Sequence, residues 1–119
     1  LVSAFAGYEH VMALYRPAVR QLVDADSRDL PRRVGRRVRL AGVLEAQRIC
    51  RTDAGAAMTF LTLDDEWGLF EATVFPGVYA AVGELDSYGP HIIDGVVEQQ
   101  YGSIAVTAQQ VRTAKAQVA

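Results

Sequence analysis

A single cysteine, Cys50, stands among 119 residues. No internal disulfide can form, so a disulfide-stapled secreted domain is excluded and the usage fits a reducing cytoplasm. No apolar run approaches the roughly 18 residues of a transmembrane helix. The start lacks the basic and then apolar pattern of a signal peptide, and no glycine-rich phosphate loop is present. His10 and His91 lie in different elements with no Cys or Asp pattern around them, which supports neither a zinc site nor a catalytic triad. The most informative absence is one of charge. Between Asp53 and Val111 there are nine carboxylates and no lysine or arginine. Eight arginines (28, 32, 33, 36, 37, 39, 48 and 51) crowd the stretch Arg28 to Arg51, opposed only by Asp29 and Glu45. A net charge of −2 therefore conceals a basic stretch and an acidic half. Two readings stand: a basic edge that tracks a phosphate backbone, or a solvated face whose charge balances across the fold.

What is present centres on Met58 to Phe75 (MTFLTLDDEWGLFEATVF). Phe60 to Leu63 and Phe70 to Val74 alternate bulky and polar residues, the period of half-buried strands. Asp64 to Gly68 reads as the turn between them, with Asp bonding its own backbone and Gly68 taking a positive φ. The expected core set is Leu61, Leu63, Phe70, Ala72 and Val74. The opposite face then carries Phe60, Thr62, Glu71 and Thr73, an aromatic among small polar groups that suits base stacking. Asp64, Asp65 and Glu66 could be considered as ligands for a hard cation. Consecutive carboxylates on a strand alternate faces, however, and no further ligand follows, so a solvated turn is expected.

Upstream, residues 8–23 place Val11, Leu14, Ala18 and Leu22 on one helical stripe. Pro17 interrupts it, which predicts a kink or a second short helix opening at Pro17. Asp24 to Pro31 reads as a polar connector. Arg36 to Arg48 is the first strand, with Val38 and Leu40 facing inward, Arg37 and Arg39 outward, and Gly42 marking a bulge or bend. After the central hairpin, Pro76 starts a helix whose Val78, Val82 and Leu85 share a face, and Ser87 to Pro90 ends it. His91 to Glu98 and Ile104 to Ala108 are the last strands, joined through Gln99 to Ser103. The expected fold is mainly β: a five-stranded OB-fold Greek-key barrel with a helix between strands 3 and 4, preceded by an N-terminal helical segment. The expected divisions are 1–31 for helix and connector, 32–112 for the barrel and 113–119 for a tail. A start at Leu1 rather than Met indicates a piece of a larger protein.

The run G-V-L, then M-T-F-L-T-L-D-D-E-W-G-L-F-E-A-T-V-F-P, resembles the OB domain near the C-terminus of bacterial DNA polymerase III alpha subunits and their error-prone paralogues. Gly42, Phe60 to Asp65, Gly68, Phe75-Pro76, Tyr79 and Gly95 carry the match, and so do Gly7 to His10 and Met12 to Pro17 upstream. The resemblance implies a domain that holds single-stranded template and adds affinity, with the metal-binding aspartates of the palm lying elsewhere in the polymerase. No cofactor, metal site or catalytic residue is expected in this segment. Implied partners are single-stranded DNA, other domains of the polymerase, and a sliding clamp or its loader; no membrane is implied.

Residue by residue, Arg37, Arg39, Arg48 and Arg51 would contact phosphates. Phe60 would stack a base, flanked by Thr62, Glu71 and Thr73, with Tyr101 as a second platform. Four phosphate contacts on a single strand predict a log–log salt slope of about −2.8. Two alternatives remain: a protein-docking OB module, and a tRNA anticodon-binding OB domain, whose F-x-x-L-x-D-x-x-G pattern is similar. An exposed Phe60 flanked by Arg37 or Arg39 favours nucleic acid; a Phe60 buried under residues 8–23 favours docking.

Overall fold

The computed structural model describes residues 11–114. Its elements are α1 (Val11–Val19), a 3-10 segment (Ser27–Arg32), β1 (Arg37–Arg51), β2 (Ala57–Asp64), β3 (Leu69–Val74), α2 (Pro76–Val82), β4 (His91–Gln100) and β5 (Ser103–Thr113). The strands close into a ring in the order β1-β2-β3-β5-β4. All neighbours are antiparallel except β3 and β5, which run parallel. A mainly β ring with a helix between β3 and β4 fits an OB-like fold.

Period-2 alternation decides what fills the ring. Leu40, Leu61, Leu63, Val74, Ile93, Val97 and Val106 are fully buried, and Phe70 and Ala72 join them, so the expected core set is all inside. β1 serves two partners. Residues Arg37 to Gly42 pair with β4, and Val43 onward pairs with β2. Gly42 sits at this handover, where an added Cβ would come within 3.0 Å of the Leu63 Cβ and 3.1 Å of the Phe70 ring. β1 changes partner at Gly42, while the register slip falls between Leu44 and Ala46.

α1 is one helix that contains Pro17 and ends two residues later, rather than two short helices. Pro17 forgoes one i→i−4 bond, but the helix continues through it, and the Arg20 N–H still donates to the Arg16 carbonyl at 2.9 Å. The helix lays Met12 and Val19 on Ala41, Val43 and Ile92, outside the β1–β4 pair. Residues 8–10 of the expected helix and the tail beyond Ala114 lie outside the described residues.

The segment read as a polar connector is ordered and plugs the barrel. Asp26 accepts from the Arg28 N–H, and its own N–H donates to Asp29, a capping box that opens the 3-10 turn. That turn drives Leu30 into the core. The Arg28 side chain, bonded to Asp26, holds the Asp26 carboxyl below its ordinary 3.8. The unfolded chain therefore binds more protons than the folded one between that lowered value and 3.8, so this stabilisation is complete above 3.8 and is lost as pH falls through the window. Urea unfolding of wild type and Asp26→Ala from pH 5 to pH 2 should show a gap in midpoint that narrows on acidification. A gap unchanged at pH 2 would exclude this origin.

The turn between β2 and β3 also differs from expectation. Asp65 is 4 % exposed rather than solvated. It accepts from the Ser27 N–H at 2.6 Å, the Ser27 hydroxyl at 2.8 Å, the Trp67 N–H at 3.0 Å and the Gly68 N–H at 3.1 Å. The positive φ of the turn belongs to Glu66, at 77°. Gly68 is small because Ser27 approaches: an added Cβ would lie 3.2 Å from its hydroxyl oxygen.

Candidate nucleic-acid interface

The outward residues of β1, β2 and β3 form rows fixed by register. Arg48 pairs with Phe60, and Phe60 with Thr73; Ala46 pairs with Thr62, and Thr62 with Glu71. The Arg48 guanidinium lies over the Phe60 ring, 4.8 Å from its centroid. Phe60, Thr62 and Thr73 are half-buried, and Glu71 is exposed. Cross-strand pairing thus brings together Arg48, Phe60, Thr62, Glu71 and Thr73 as one patch. α1 packs on the β1–β4 side, so Phe60 is not beneath it. Stacking orients the guanidinium without neutralising it; its Nη1 donates to the Cys50 Sγ at 3.3 Å, and its other N–H groups can reach a phosphate.

Two loops flank the patch. In the β1–β2 loop the Arg51 side chain donates to the Gly55 carbonyl at 2.8 Å, which fixes the loop tip. In the β4–β5 turn Tyr101 adopts φ 53° and is fully exposed. Between β1 and the chain after α2, Gln47 donates to the Leu85 carbonyl at 2.6 Å and accepts from its N–H at 3.1 Å. That pair ties the α2–β4 connection to the barrel wall.

The remaining expected contacts do not converge. Arg37 pairs with Val96 at the far end of β1, eleven positions before Arg48. Arg39 is held by the Asp94 carboxylate, which is 5 % exposed and keeps the guanidinium more firmly protonated than usual. Its backbone N–H donates to Asp24 as well. Arg28 and Arg32 are likewise paired with Asp26 and Asp29. Among the described residues, Arg33, Arg36, Arg37, Arg48 and Arg51 make no ion pair. Arg39→Ala should lower the urea midpoint, since it strands a buried carboxylate, and should leave any single-stranded DNA affinity within about twofold. A large affinity loss with an unchanged midpoint would restore Arg39 as a phosphate contact.

Sequence reasoning passed over Phe75, which it read only as the residue before the Pro76 helix. The parity that exposes Glu71 and Thr73 continues to Phe75, which is 47 % exposed. Thr107 and Glu98 were passed over too; the Thr107 hydroxyl donates to the Glu98 carboxylate across β5 and β4. His91 is buried with Nε2 2.9 Å from the Ser87 carbonyl and Nδ1 3.0 Å from the Thr113 hydroxyl, a structural arrangement. Among the described residues no group of three His, Cys, Asp or Glu side chains could hold a metal ion. No helix among them is long and apolar enough to cross a membrane.

The fold has a counterpart among solved structures. A candidate nucleic acid-binding lipoprotein from Klebsiella pneumoniae subsp. pneumoniae, solved by crystallography, superposes with a TM-score of 0.55 over 90 % of each chain at 21 % identity. Sequence likeness is to bacterial DNA polymerases. The error-prone DNA polymerase of Symbiobacterium thermophilum is 33 % identical over 84 residues, which is 68 % of this chain and 8 % of that protein. The DNA polymerase III subunit alpha of Halalkalibacterium halodurans is 51 % identical over 43 residues, 36 % of this chain and 4 % of that protein. The resemblance read from the motif run is therefore borne out over part of the chain, and this chain spans a small fraction of those relatives. No family model matches.

Proposed function

We propose that this chain is a non-catalytic, single-stranded DNA-binding domain, a five-stranded OB-fold Greek-key barrel, within a bacterial DNA polymerase III alpha subunit or its error-prone paralogue. It supports template binding in the cytoplasm while the polymerase active site lies in another domain. The observation that carries this reading is Phe60: an aromatic ring on the outer β1–β2–β3 face, under the Arg48 guanidinium and clear of α1. The polymerase likeness supports the assignment. A base stacked on Phe60 contributes roughly 1–3 kcal/mol, and Arg48 with Arg51 supplies the phosphate contacts. The protein partners are the neighbouring polymerase domains.

With Arg39 engaged and Arg37 remote, two phosphate contacts remain, and the log–log salt slope becomes about −1.4 rather than −2.8. Fluorescence anisotropy with a labelled single-stranded oligonucleotide, from about 20 to 150 mM salt, measures it. Phe60→Ala should weaken binding about tenfold or more while leaving the melting temperature nearly unchanged. Absence of binding at the lowest salt, or equal binding by wild type and Phe60→Ala, overturns the proposal and favours a docking module. Preference for tRNA over single-stranded DNA would favour the anticodon-binding alternative.

A further inference from the structure

A groove of about 300 Å³ opens on the outer face of β3, β5 and β4. Register connects it to the stacking patch: Phe60 pairs with Thr73, and Thr73 with Thr107. Two strand spacings, about 10 Å, therefore separate Phe60 from the middle of the groove. Phe75 and Tyr101 line the groove as exposed aromatics, beside Thr73, Thr107, Glu98 and Gln100. Its walls carry no cation, because the chain has no lysine or arginine between Asp53 and Val111. A phosphate has nothing to meet here; a neutral base has two aromatic faces.

The polar groups of the groove are acceptor-rich. The Thr107 hydroxyl donates to one oxygen of Glu98 and so fixes the carboxylate over the groove. The other oxygen is left to accept, and among the described residues Glu98 makes no ion pair. A carboxylate accepts from the exocyclic amine of cytosine. Thymine carries carbonyl oxygens on both sides of its one edge N–H, and these repel it. Resting on the DNA-binding reading above, we infer that this groove is a second base subsite, continuous with the Phe60 patch, in which Phe75 and Tyr101 stack the base and Glu98 selects cytosine over thymine.

The test compares labelled dC and dT oligonucleotides of equal length on the full chain at low salt. These pyrimidines are of near-equal size, so stacking alone does not separate them. The dC oligonucleotide should bind about five- to tenfold more tightly. Glu98→Gln, whose amide both donates and accepts, should bring that ratio towards one. Phe60→Ala should instead weaken both oligonucleotides together. Equal or tighter binding of dT, or a ratio unaltered in Glu98→Gln, overturns the subsite while leaving DNA binding itself in place. Failure of both oligonucleotides to bind overturns the DNA reading and the subsite with it.

Discussion

Gly95→Ala is expected to lower the melting temperature by roughly 15 °C or more, or to prevent folding. Gly95 lies on β4 where the register with β5 slips, between the Asp94–Gln110 and Gly95–Ala108 pairs. A Cβ at this position would sit 2.2 Å from the Thr107 carbonyl oxygen, 2.8 Å from the Val106 Cγ1 and 2.9 Å from the Thr107 carbonyl carbon. Two of those three atoms are backbone, so no rotamer change can make room. The strands must separate where Ile93, Val97 and Val106 form the barrel core. Gly42→Ala, crowded at 3.0–3.1 Å mainly by side chains, should cost about 1–3 kcal/mol. Gly77→Ala, in α2 with nothing within 4 Å of its added Cβ, should be neutral or stabilising by up to about 1 kcal/mol. Circular-dichroism melts of the three variants test the order. A Gly95→Ala protein melting within a few degrees of wild type would show that the β4–β5 approach is not a constraint on folding.

Asp65→Ala should cost about 3 kcal/mol, measured as a reduced urea midpoint. The loss is large because one carboxylate satisfies four donors from two segments: the Ser27 N–H and hydroxyl, and the Trp67 and Gly68 N–H groups. Removing it leaves partly buried donors without that partner and frees the 3-10 segment that inserts Leu30 into the core. Trp67, the only tryptophan, reports the change directly. The Arg28 guanidinium stacks on its ring at 3.9 Å, so loosening the segment should shift its emission towards that of a solvated indole. Asp65→Asn keeps the oxygen that meets three donors but turns an amide towards the Ser27 N–H, and should lose roughly half as much. Burial raises the Asp65 carboxyl above its ordinary 3.8 despite the hydrogen bonds from Ser27 and Trp67 that pull it down. Protons are therefore held more tightly by the folded chain in that window, and this group alone makes stability fall as pH rises through it, opposite in sign to Asp26. An Asp65→Ala protein with wild-type midpoint and unchanged emission would remove Asp65 from this role.

The alternation of Phe60 to Leu63 and Phe70 to Val74 was legible because burial on a strand depends on parity alone, and parity is written in the residues. The same rule correctly turned Val38 and Leu40 inward and Arg37 and Arg39 outward. The helix between β3 and β4 announced itself through Pro76 and the spacing of Val78 and Val82. Phe60 as the aromatic of the outer face followed from the same parity. What parity could not carry was the identity of neighbours. Arg48 rather than Arg37 or Arg39 flanks Phe60, because β1 passes from β4 to β2 after Gly42 and sends its two halves to different partners. Arg39 became a structural cation only once β4 brought Asp94 beside it. Asp65 looked solvated because its principal donor, Ser27, lies thirty-eight positions away. The groove of Phe75, Tyr101 and Glu98 exists only because β3 and β5 run parallel across the ring closure. Local chemistry is a property of the chain, and its physical cause is the period of each element. Juxtaposition across strands depends on register and closure, which the tertiary packing sets.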